Sequence, residues 1–272
     1  MQRVPIYYIN LASRPDRRAS IEGEINRLEL EAIRVEAKVP ADLSAEQLSR
    51  YCDPRAARSM TPRQYACNLS HAAAWSAFLS SSADKAMFLE DDAILSATLP
   101  RFLAALGEAD DVVRLETWPF ITYPFDGEIE PIFPDELILR ACLRRDAGAA
   151  GYILSRRAAL ALLASKDFHT TLVDGLIFDP HGIGRLLRVR YVDPGLCIQA
   201  CHLTPASSVA VSNINVDEQV FDAGRRQRSL AARIQKQTAG WFGYDIPRLK
   251  AYIVRKLRRR TVVWRAIPFR PD

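Results

Sequence analysis

The sequence predicts an α/β fold with a mostly parallel central sheet, and two observations predict it. Short apolar segments alternate with helical patterns from the first residues of the chain, as in strand–helix–strand units. Two of these segments also run directly into acidic residues, which is typical of ligand-binding edges in open α/β sheets. The 272 residues, 49% hydrophobic and 25% charged, exclude a disordered, fibrous or collagen-like chain.

The first strand and helix are predicted from the N-terminal residues. Residues 4–11 form a nearly continuous apolar run, as expected for a strand that is covered on both faces. Ser13 then provides a helix cap, and Pro15 fits the first helical turn. Apolar side chains recur at helical spacing at Ile21, Ile25 and Leu28.

A second helix is predicted after a polar, irregular stretch at residues 40–58. Thr61 and Gln64 fit a capping box, in which each side chain bonds the backbone N–H of the other residue. Residues 65–79 then carry an apolar face, and His71 lies in the middle of this helix.

Two short strands are predicted at residues 86–89 and 112–115. The first ends in three consecutive acids, residues 90–92, and the second ends in Glu116. Because ligands bind at the carboxyl ends of strands in open α/β sheets, we expect these acids to line a site.

The second half of the chain is predicted to complete the sheet and to cover the site. The Pro- and aromatic-rich residues 118–136 are predicted to form a long loop over the site. The remaining predicted elements are strands over 137–141 and 152–154, a helix from the cap Ser155 to Leu163, a short helix over 172–178, and strands over 186–191 and 196–199.

The consecutive acids Glu90, Asp91 and Asp92 carry the sharpest chemical signal. Adjacent carboxylates repel one another unless a cation or solvent relieves the charge. Their hard oxygen atoms suit Mg²⁺ or Mn²⁺, and such an ion could hold and neutralise a departing diphosphate. A solvated acidic turn is the alternative. The apolar strand directly before the acids favours the metal, because it places them at a sheet edge.

Arginines and isolated polar residues supply the other candidate groups. Arg14 and Arg17 follow the first strand and could contact phosphate through charge-assisted hydrogen bonds. Asp174 lies in an apolar stretch, where it could act as a general base, although the local pattern alone favours a first-turn helix acid. His71 follows Ser70, and their spacing defines no catalytic triad.

The C-terminal part of the chain is strongly basic. Residues 224–270 contain 14 Lys and Arg and one acid, a net charge of +13, which leaves −8 for the rest of a chain whose total is +5. Residues 248–265 interleave cations with apolar side chains, which favours a helix on an anionic membrane surface over a solvated helix or a nucleic-acid contact. We therefore divide the chain into a body, residues 1–221, and a basic helical tail, residues 222–272.

The apolar segments also bear on cellular location. None approaches the roughly 18 uninterrupted apolar residues that a membrane-spanning helix needs. The N-terminal apolar stretch is shorter than a signal-peptide core, contains Pro5 and lacks a small-residue cleavage site. We expect a cytoplasmic protein that lies peripherally at the inner membrane.

The order of these motifs resembles glycosyltransferase family 25, the bacterial lipooligosaccharide glycosyltransferases. Residues 9–11 and the basic turn 14–18 are similar to its first strand and turn, and residues 70–75 are similar to its S-H-x-x-x-W helix. Residues 88–93 resemble its acidic motif. Further matching segments are residues 115–117, 150–155, 173–174 and 194–199, so that the resemblance covers about residues 4–210.

The resemblance implies a GT-A-like fold and inverting, metal-dependent transfer of a hexose, typically galactose, from a UDP-sugar to a lipid-linked lipooligosaccharide or related glycan. It implies that Asp92 holds Mn²⁺ or Mg²⁺, with Glu90 as the candidate second ligand, while Asp91 or Glu90 assists or contacts the ribose. Asp174 or Glu116 would be the catalytic base or would orient the acceptor, and the sequence does not separate them. The donor contacts that it implies are Asn10, Leu11, Arg14, Arg17, Ser70 and His71.

Two other functions are compatible with the same residues. A metal-dependent phosphohydrolase could use the acids on a nucleotide sugar, and it would release the sugar at full rate without an acceptor. A non-catalytic relative could instead present the basic tail to lipid or nucleic acid.

Overall fold

A computed structural model describes residues 4–56, 59–133, 136–203 and 261–272. Within these residues a sheet of nine strands has helices on both faces, and two further strands pair as a small separate ladder. The α/β class predicted from the sequence is therefore confirmed.

The elements carry labels in chain order. The large sheet contains β1 Ile6–Asn10, β2 Ala32–Glu36, β3 Lys85–Glu90, β5 Val112–Arg114, β6 Thr122–Phe133, β7 Leu137–Cys142, β8 Gly151–Ser155, β9 Val189–Asp193 and β11 Val262–Ala266. The small ladder contains β4 Ala93–Leu95 and β10 Cys197–Gln199. The α-helices are α1 Pro15–Arg27, α2 Ala45–Tyr51, α3 Pro62–Leu79, α4 Leu99–Ala105, α5 Arg156–Leu163, α6 Val173–Ile177 and α7 Ala200–Leu203. Short 3₁₀ turns span Pro40–Asp42, Lys166–His169 and Ile183–Arg185.

The large sheet is mixed, in the order β11-β6-β7-β9-β5-β8-β3-β1-β2. Strand β1 pairs in parallel with both β2 and β3, and β5 pairs in parallel with β9. The remaining ladders of this sheet are antiparallel. The expectation of a mostly parallel sheet thus holds at the β2-β1-β3 end, where the acids lie, and not across the whole sheet.

The apolar run in β1 reflects burial on both faces of the sheet. Tyr7 and Ile9 belong to one core layer, which α3, α5 and α6 cover, whereas Ile6 and Tyr8 belong to the opposite layer, which α1 and α4 cover. Side chains alternate between faces along a strand, so a strand between two helical layers needs apolar residues at consecutive positions.

The N-termini of α1 and α3 are stabilised in different ways. The Thr61 hydroxyl accepts from the Gln64 N–H at 3.1 Å, and the Gln64 side-chain oxygen accepts from the Thr61 N–H at 2.9 Å. These two bonds confirm the predicted capping box of α3. Helix α1 begins at Pro15 with Arg14 as its cap, and no side chain caps it. The predicted Ser13 cap is therefore wrong. Pro15 needs no N–H partner at the first helical position, which lessens the need for a cap.

The segment 118–136, predicted to be a loop, mostly forms a strand. Residues 122–133 are β6, which pairs with β7 and β11. Proline in a strand is tolerated at bulges and unpaired edges. Pro131 lies next to a register shift in the β6–β7 ladder and beyond the residues that pair with β11, so its missing N–H breaks no bond to that strand.

The described end of the chain joins the sheet. Val262–Ala266 pairs with β6, so this part of the predicted helical tail is a strand, and that expectation is wrong here. Ile267 is 1% exposed, its carbonyl accepts from the Thr117 hydroxyl at 2.6 Å, and the Arg270 N–H donates to the Gly195 carbonyl at 3.0 Å. Residues 261–272 therefore pack with the body, whereas the predicted division assigns them to the tail. The rest of the predicted tail and the boundary at 221/222 lie outside the described residues.

Helix lengths and polarities bear on membrane insertion. In the described ranges, each helix is too short or too polar to cross a bilayer.

Candidate functional site

The acids after β3 lie beside the end of β1, as the parallel pairing of these strands requires. The Asn10 amide donates to Asp91 Oδ2 at 2.8 Å, and Arg17 Nη1 lies 3.0 Å from Asp91 Oδ1. The same Arg17 nitrogen lies 3.5 Å from Asp92 Oδ2. Both oxygens of Asp91 thus bond within the protein, and Asp91 joins the two strand ends.

Glu90 and Asp92 flank Asp91 and have electrostatic properties that suit a cation. Burial and the neighbouring acidic charges raise the pKa of both carboxyl groups, and Arg17 offsets this rise only in part. Asp92 Oδ1 is buried and has no hydrogen-bond partner among the described residues. A buried, unpaired carboxylate oxygen is costly unless it gains a partner. The residues therefore fit a divalent ion held by Asp92 and Glu90.

The small ladder holds the backbone that follows the acids. Strand β4 begins directly after Asp92 and pairs with β10. The N–H of Ala200, at the end of that ladder, donates to the Asp92 carbonyl at 2.9 Å. Asp92 is thus placed by backbone pairing as well as by Arg17.

The predicted nucleotide contacts of the first turn lie together at this edge. The Asn10 amide also donates to the Arg14 carbonyl at 3.1 Å, and Arg34 Nε donates to Asn10 Oδ1 at 3.2 Å. The Leu11 carbonyl accepts the Arg14 N–H at 2.9 Å. The Arg14 guanidinium pairs with Asp16 at 2.6 Å. Arg17 therefore contacts the acids, and the charges of Asp91 and Asp92 also raise the pKa of Arg14.

His71 extends from α3 to Glu90. Its Nε2 lies 3.3 Å from Glu90 Oε1, and its Nδ1 lies 2.8 Å from the Tyr152 hydroxyl. The indole of Trp75 donates to the same hydroxyl at 2.9 Å. Burial lowers the pKa of His71 to about 4, so the ring is neutral near pH 7. The pair with Glu90 is thus a hydrogen bond of a neutral imidazole.

Ser70, which we expected beside the donor, bonds to the protein itself. It is 2% exposed, its hydroxyl donates to the Ala66 carbonyl at 2.8 Å, and the Lys38 N–H donates to its oxygen at 2.8 Å. Ser70 therefore supports the backbone that follows β2.

Cys67 is a neighbour of this site that the sequence reasoning missed. Ligand atoms of Cys67, His71 and Glu90 all lie within 4.8 Å of one another. Cys67 and His71 are four residues apart on α3, which places them on one helix face. That spacing is the signal that would have found Cys67.

Glu116, one of the two candidate bases, is buried and fully bonded. Its Oε1 accepts from the Trp118 indole at 2.6 Å, and its Oε2 accepts from the Ala150 N–H at 2.9 Å. The Arg114 guanidinium lies 3.8 Å from Oε2. Burial raises the pKa of Glu116 to about 7, although the charge of Arg114 and the hydrogen bonds oppose this rise. Both carboxylate oxygens of Glu116 therefore have partners within the protein.

Asp174, the other candidate base, is only partly buried and lies in the first turn of α6. Its Oδ2 accepts from the Gly148 N–H at 3.0 Å. Gly148 has φ +90°, and a Cβ there would lie 2.6 Å from Glu116 Oε1. The two acids thus lie on either side of Gly148, a position that only glycine fits. The charge of Asp174 raises the pKa of both Glu90 and His71, against the larger effect of burial in His71.

The amino-acid sequence matches a known protein family. The sequence profile of glycosyltransferase family 25 (LPS biosynthesis protein) matches residues 3–177. The chain is 25% identical over 236 residues to lipooligosaccharide biosynthesis protein lic2B of Haemophilus influenzae, covering 82% of this chain and 86% of that protein. It is 32% identical over 124 residues to mouse procollagen galactosyltransferase 2, covering 43% of this chain and 20% of that protein.

Two further matches complete the comparison. Mouse inactive glycosyltransferase 25 family member 3 is 27% identical over 191 residues, covering 65% of this chain and 32% of that protein. The structure of an inositol-1-phosphate CTP transferase from T. maritima aligns with a TM-score of 0.36 and 10% identity, over 83% of this chain and 78% of that one. The family matches support a glycosyltransferase role. The chain belongs to glycosyltransferase family 25.

Proposed function

We propose that this glycosyltransferase moves a hexose from a UDP-sugar to a lipid-linked lipooligosaccharide glycan, and that the hexose is galactose. One observation carries the proposal: Asp92 Oδ1, which is buried and has no partner in the described part of the chain, lies beside Glu90 at the carboxyl edge of β3. Open α/β sheets bind ligands at such edges, and an unrelieved carboxylate pair attracts a cation that can hold a diphosphate. The name of the mouse galactosyltransferase supports the choice of sugar.

Asp92 and Glu90 are the residues that would hold Mn²⁺ or Mg²⁺, whose preferred ligands are hard oxygen atoms. When bound, the ion neutralises the negative charge that develops on the departing diphosphate. Asp91 has a different part in this proposal. Because Asn10 and Arg17 occupy its oxygens, Asp91 orders the strand ends, and Arg17 stays directed at the edge where a diphosphate would lie.

Asp174 is the residue that we propose as the catalytic base. In an inverting transfer the base takes the acceptor hydroxyl proton while the acceptor oxygen bonds to the anomeric carbon, and the bond from that carbon to the diphosphate breaks. Both oxygens of each acid accept hydrogen bonds from the backbone or from an indole, but Asp174 is partly exposed and open to an acceptor, whereas the Glu116 side chain is fully buried. Glu116 instead holds the 148–150 turn against which Asp174 is placed.

Binding of the nucleotide donor tests this function. In titration calorimetry with a panel of nucleotides, we expect UDP and UDP-galactose to bind with Mn²⁺ present and to lose most of that binding with EDTA. CDP and GDP are matched controls that carry the same diphosphate. Nucleotide binding that is equal with Mn²⁺ and with EDTA would count against the metal, and no nucleotide binding at all would favour the non-catalytic alternative.

The proposed membrane contact rests on the charge of residues 224–260, where cations far outnumber acids. We expect the triple variant Arg258→Gln/Arg259→Gln/Arg260→Gln to bind anionic liposomes more weakly, because each cation near an anionic surface contributes roughly 1 kcal/mol. Transfer to a soluble acceptor should be unchanged. Cosedimentation with vesicles that contain anionic lipid measures the effect, with neutral vesicles as the control. Equal binding of the wild-type protein to both vesicle types would refute the membrane role. Truncation is a poor test because it also removes β11.

A further inference from the structure

A chain of three buried side chains ends at Glu90. Trp75 Nε1, the Tyr152 hydroxyl and the His71 ring follow one another at 2.9 and 2.8 Å, and His71 Nε2 reaches Glu90 Oε1 at 3.3 Å. Trp75, Tyr152 and His71 are each at most 1% exposed. The residues come from α3, β8 and β3, so the chain of bonds links the helix to the acidic strand end through the sheet.

The chemistry of these groups gives the chain of bonds one direction. The Trp75 indole can only donate, so the Tyr152 oxygen accepts from it. The Tyr152 hydroxyl has one proton, and His71 Nδ1 lies 2.8 Å from the hydroxyl oxygen in position to accept it. His71 Nδ1 must then be the unprotonated nitrogen, which places the ring proton on Nε2, facing Glu90. Every donor in the chain of bonds has an acceptor in this arrangement.

The opposite tautomer is disfavoured on two counts. A proton on His71 Nδ1 would make the Tyr152 oxygen accept twice and would leave its own proton unpaired in the core, at a cost of about 1–3 kcal/mol. It would also set the Nε2 lone pair against Glu90 Oε1 whenever that carboxyl group is ionised. A ring that carried both protons would donate Nδ1–H to the Tyr152 oxygen in the same way and would leave the same Tyr152 proton unpaired.

We propose that Tyr152 is a positioning residue for the donor site, which sets the tautomer of His71 so that Nε2–H orients the Glu90 carboxylate. The role of Glu90 as a ligand of the divalent ion rests on the proposed function, whereas the order of the hydrogen bonds does not. Trp75 and His71 of the S-H-x-x-x-W pattern both bond to the Tyr152 oxygen, so the pattern serves to hold the Tyr152 hydroxyl in place.

A different use of the same residues would contradict this assignment. If Cys67, His71 and Glu90 were together a ligand set for a thiophilic ion such as Zn²⁺, His71 Nε2 would have to be unprotonated. Their 4.8 Å grouping permits such a set. The tautomer of His71 therefore separates the two interpretations.

Nitrogen NMR of ¹⁵N-histidine-labelled protein measures the tautomer directly. The chain has 4 His, and the His71→Gln spectrum identifies the His71 signals by their loss. We expect a neutral ring with the proton on Nε2 at pH 7, and a mixture of tautomers in Tyr152→Phe, which removes only the hydroxyl. A proton on Nδ1 in the wild-type protein, or an unchanged tautomer in Tyr152→Phe, would overturn the proposal.

A kinetic measurement tests the consequence for Glu90. Loss of a partner that orients a metal ligand typically costs 10–100-fold in metal affinity or activity. We therefore expect Tyr152→Phe to need roughly 10–100-fold more Mn²⁺ for half-maximal transfer. The matched control is Tyr65→Phe, which removes another Tyr–His bond of α3, the 2.9 Å contact of Tyr65 with His169, away from Glu90.

The two experiments separate the two failures. If both variants have the same Mn²⁺ requirement as the wild-type protein, Tyr152 does not position Glu90. If the NMR result is as expected but the wild-type protein shows no transfer, Tyr152 sets the tautomer of His71 as proposed, and the proposed function fails.

Discussion

Asp92→Asn is expected to lower the rate of sugar transfer by about 100-fold or more, because removal of one ligand charge weakens an ion that contributes several kcal/mol to charge stabilisation. The amide keeps the shape of the side chain, so the fold should persist. Transfer of labelled galactose from UDP-galactose, measured at saturating Mn²⁺, gives the rate.

The control for this variant comes from the opposite end of the same strand. Asp84 precedes β3 and is exposed, so Asp84→Asn removes an acid of the same type without touching the site, and we expect full activity. An Asp92→Asn protein that transfers sugar as fast as Asp84→Asn would remove the basis for the metal assignment.

Asp174→Asn is expected to lower kcat by about 10²–10⁴-fold while the Kd of the donor nucleotide stays near the wild-type value. The reason is that Asp174 acts on the acceptor proton and not on the nucleotide. Single-turnover rates with acceptor, together with calorimetric UDP titration, separate these two quantities.

Glu116→Gln is the comparison that assigns the base. Glu116 accepts two hydrogen bonds in the core and lies beside the buried Arg114, so we expect its change to reduce the free energy of unfolding by about 1–3 kcal/mol. A stable Glu116→Gln protein without turnover, paired with an active Asp174→Asn protein, would reverse the two roles.

Local patterns predicted the elements whose bonds are local. The Thr61–Gln64 capping box and the Ser155 cap of α5 are confirmed, since each bond joins residues three apart. The two-sided burial of β1 could also be read from its apolar run. The strand at 122–133 could not, because its two prolines argue against a strand unless the register shift and the partner β11 are known.

The acids of the site could be predicted, and the groups that orient them could not. Residues 90–92 follow a strand directly, so their position at an edge depends on one element. The Tyr152–His71 bond and the contact of Gly148 with Glu116 join residues 81 and 32 positions apart, and no local pattern encodes such pairings. For the same reason, the hydrogen bond between Thr117 and the Ile267 carbonyl could not be predicted, because the sequence around Ile267 is basic and indicates a separate tail.

Acceptor dependence tests the central claim, that this chain is a transferase, most directly. The measurement follows release of UDP and of free galactose from UDP-galactose with Mn²⁺, with and without a lipooligosaccharide acceptor. We predict that UDP release rises at least tenfold with acceptor and that the galactose is recovered on the glycan. Release of free galactose at the same rate with and without acceptor would contradict transfer and establish the phosphohydrolase alternative.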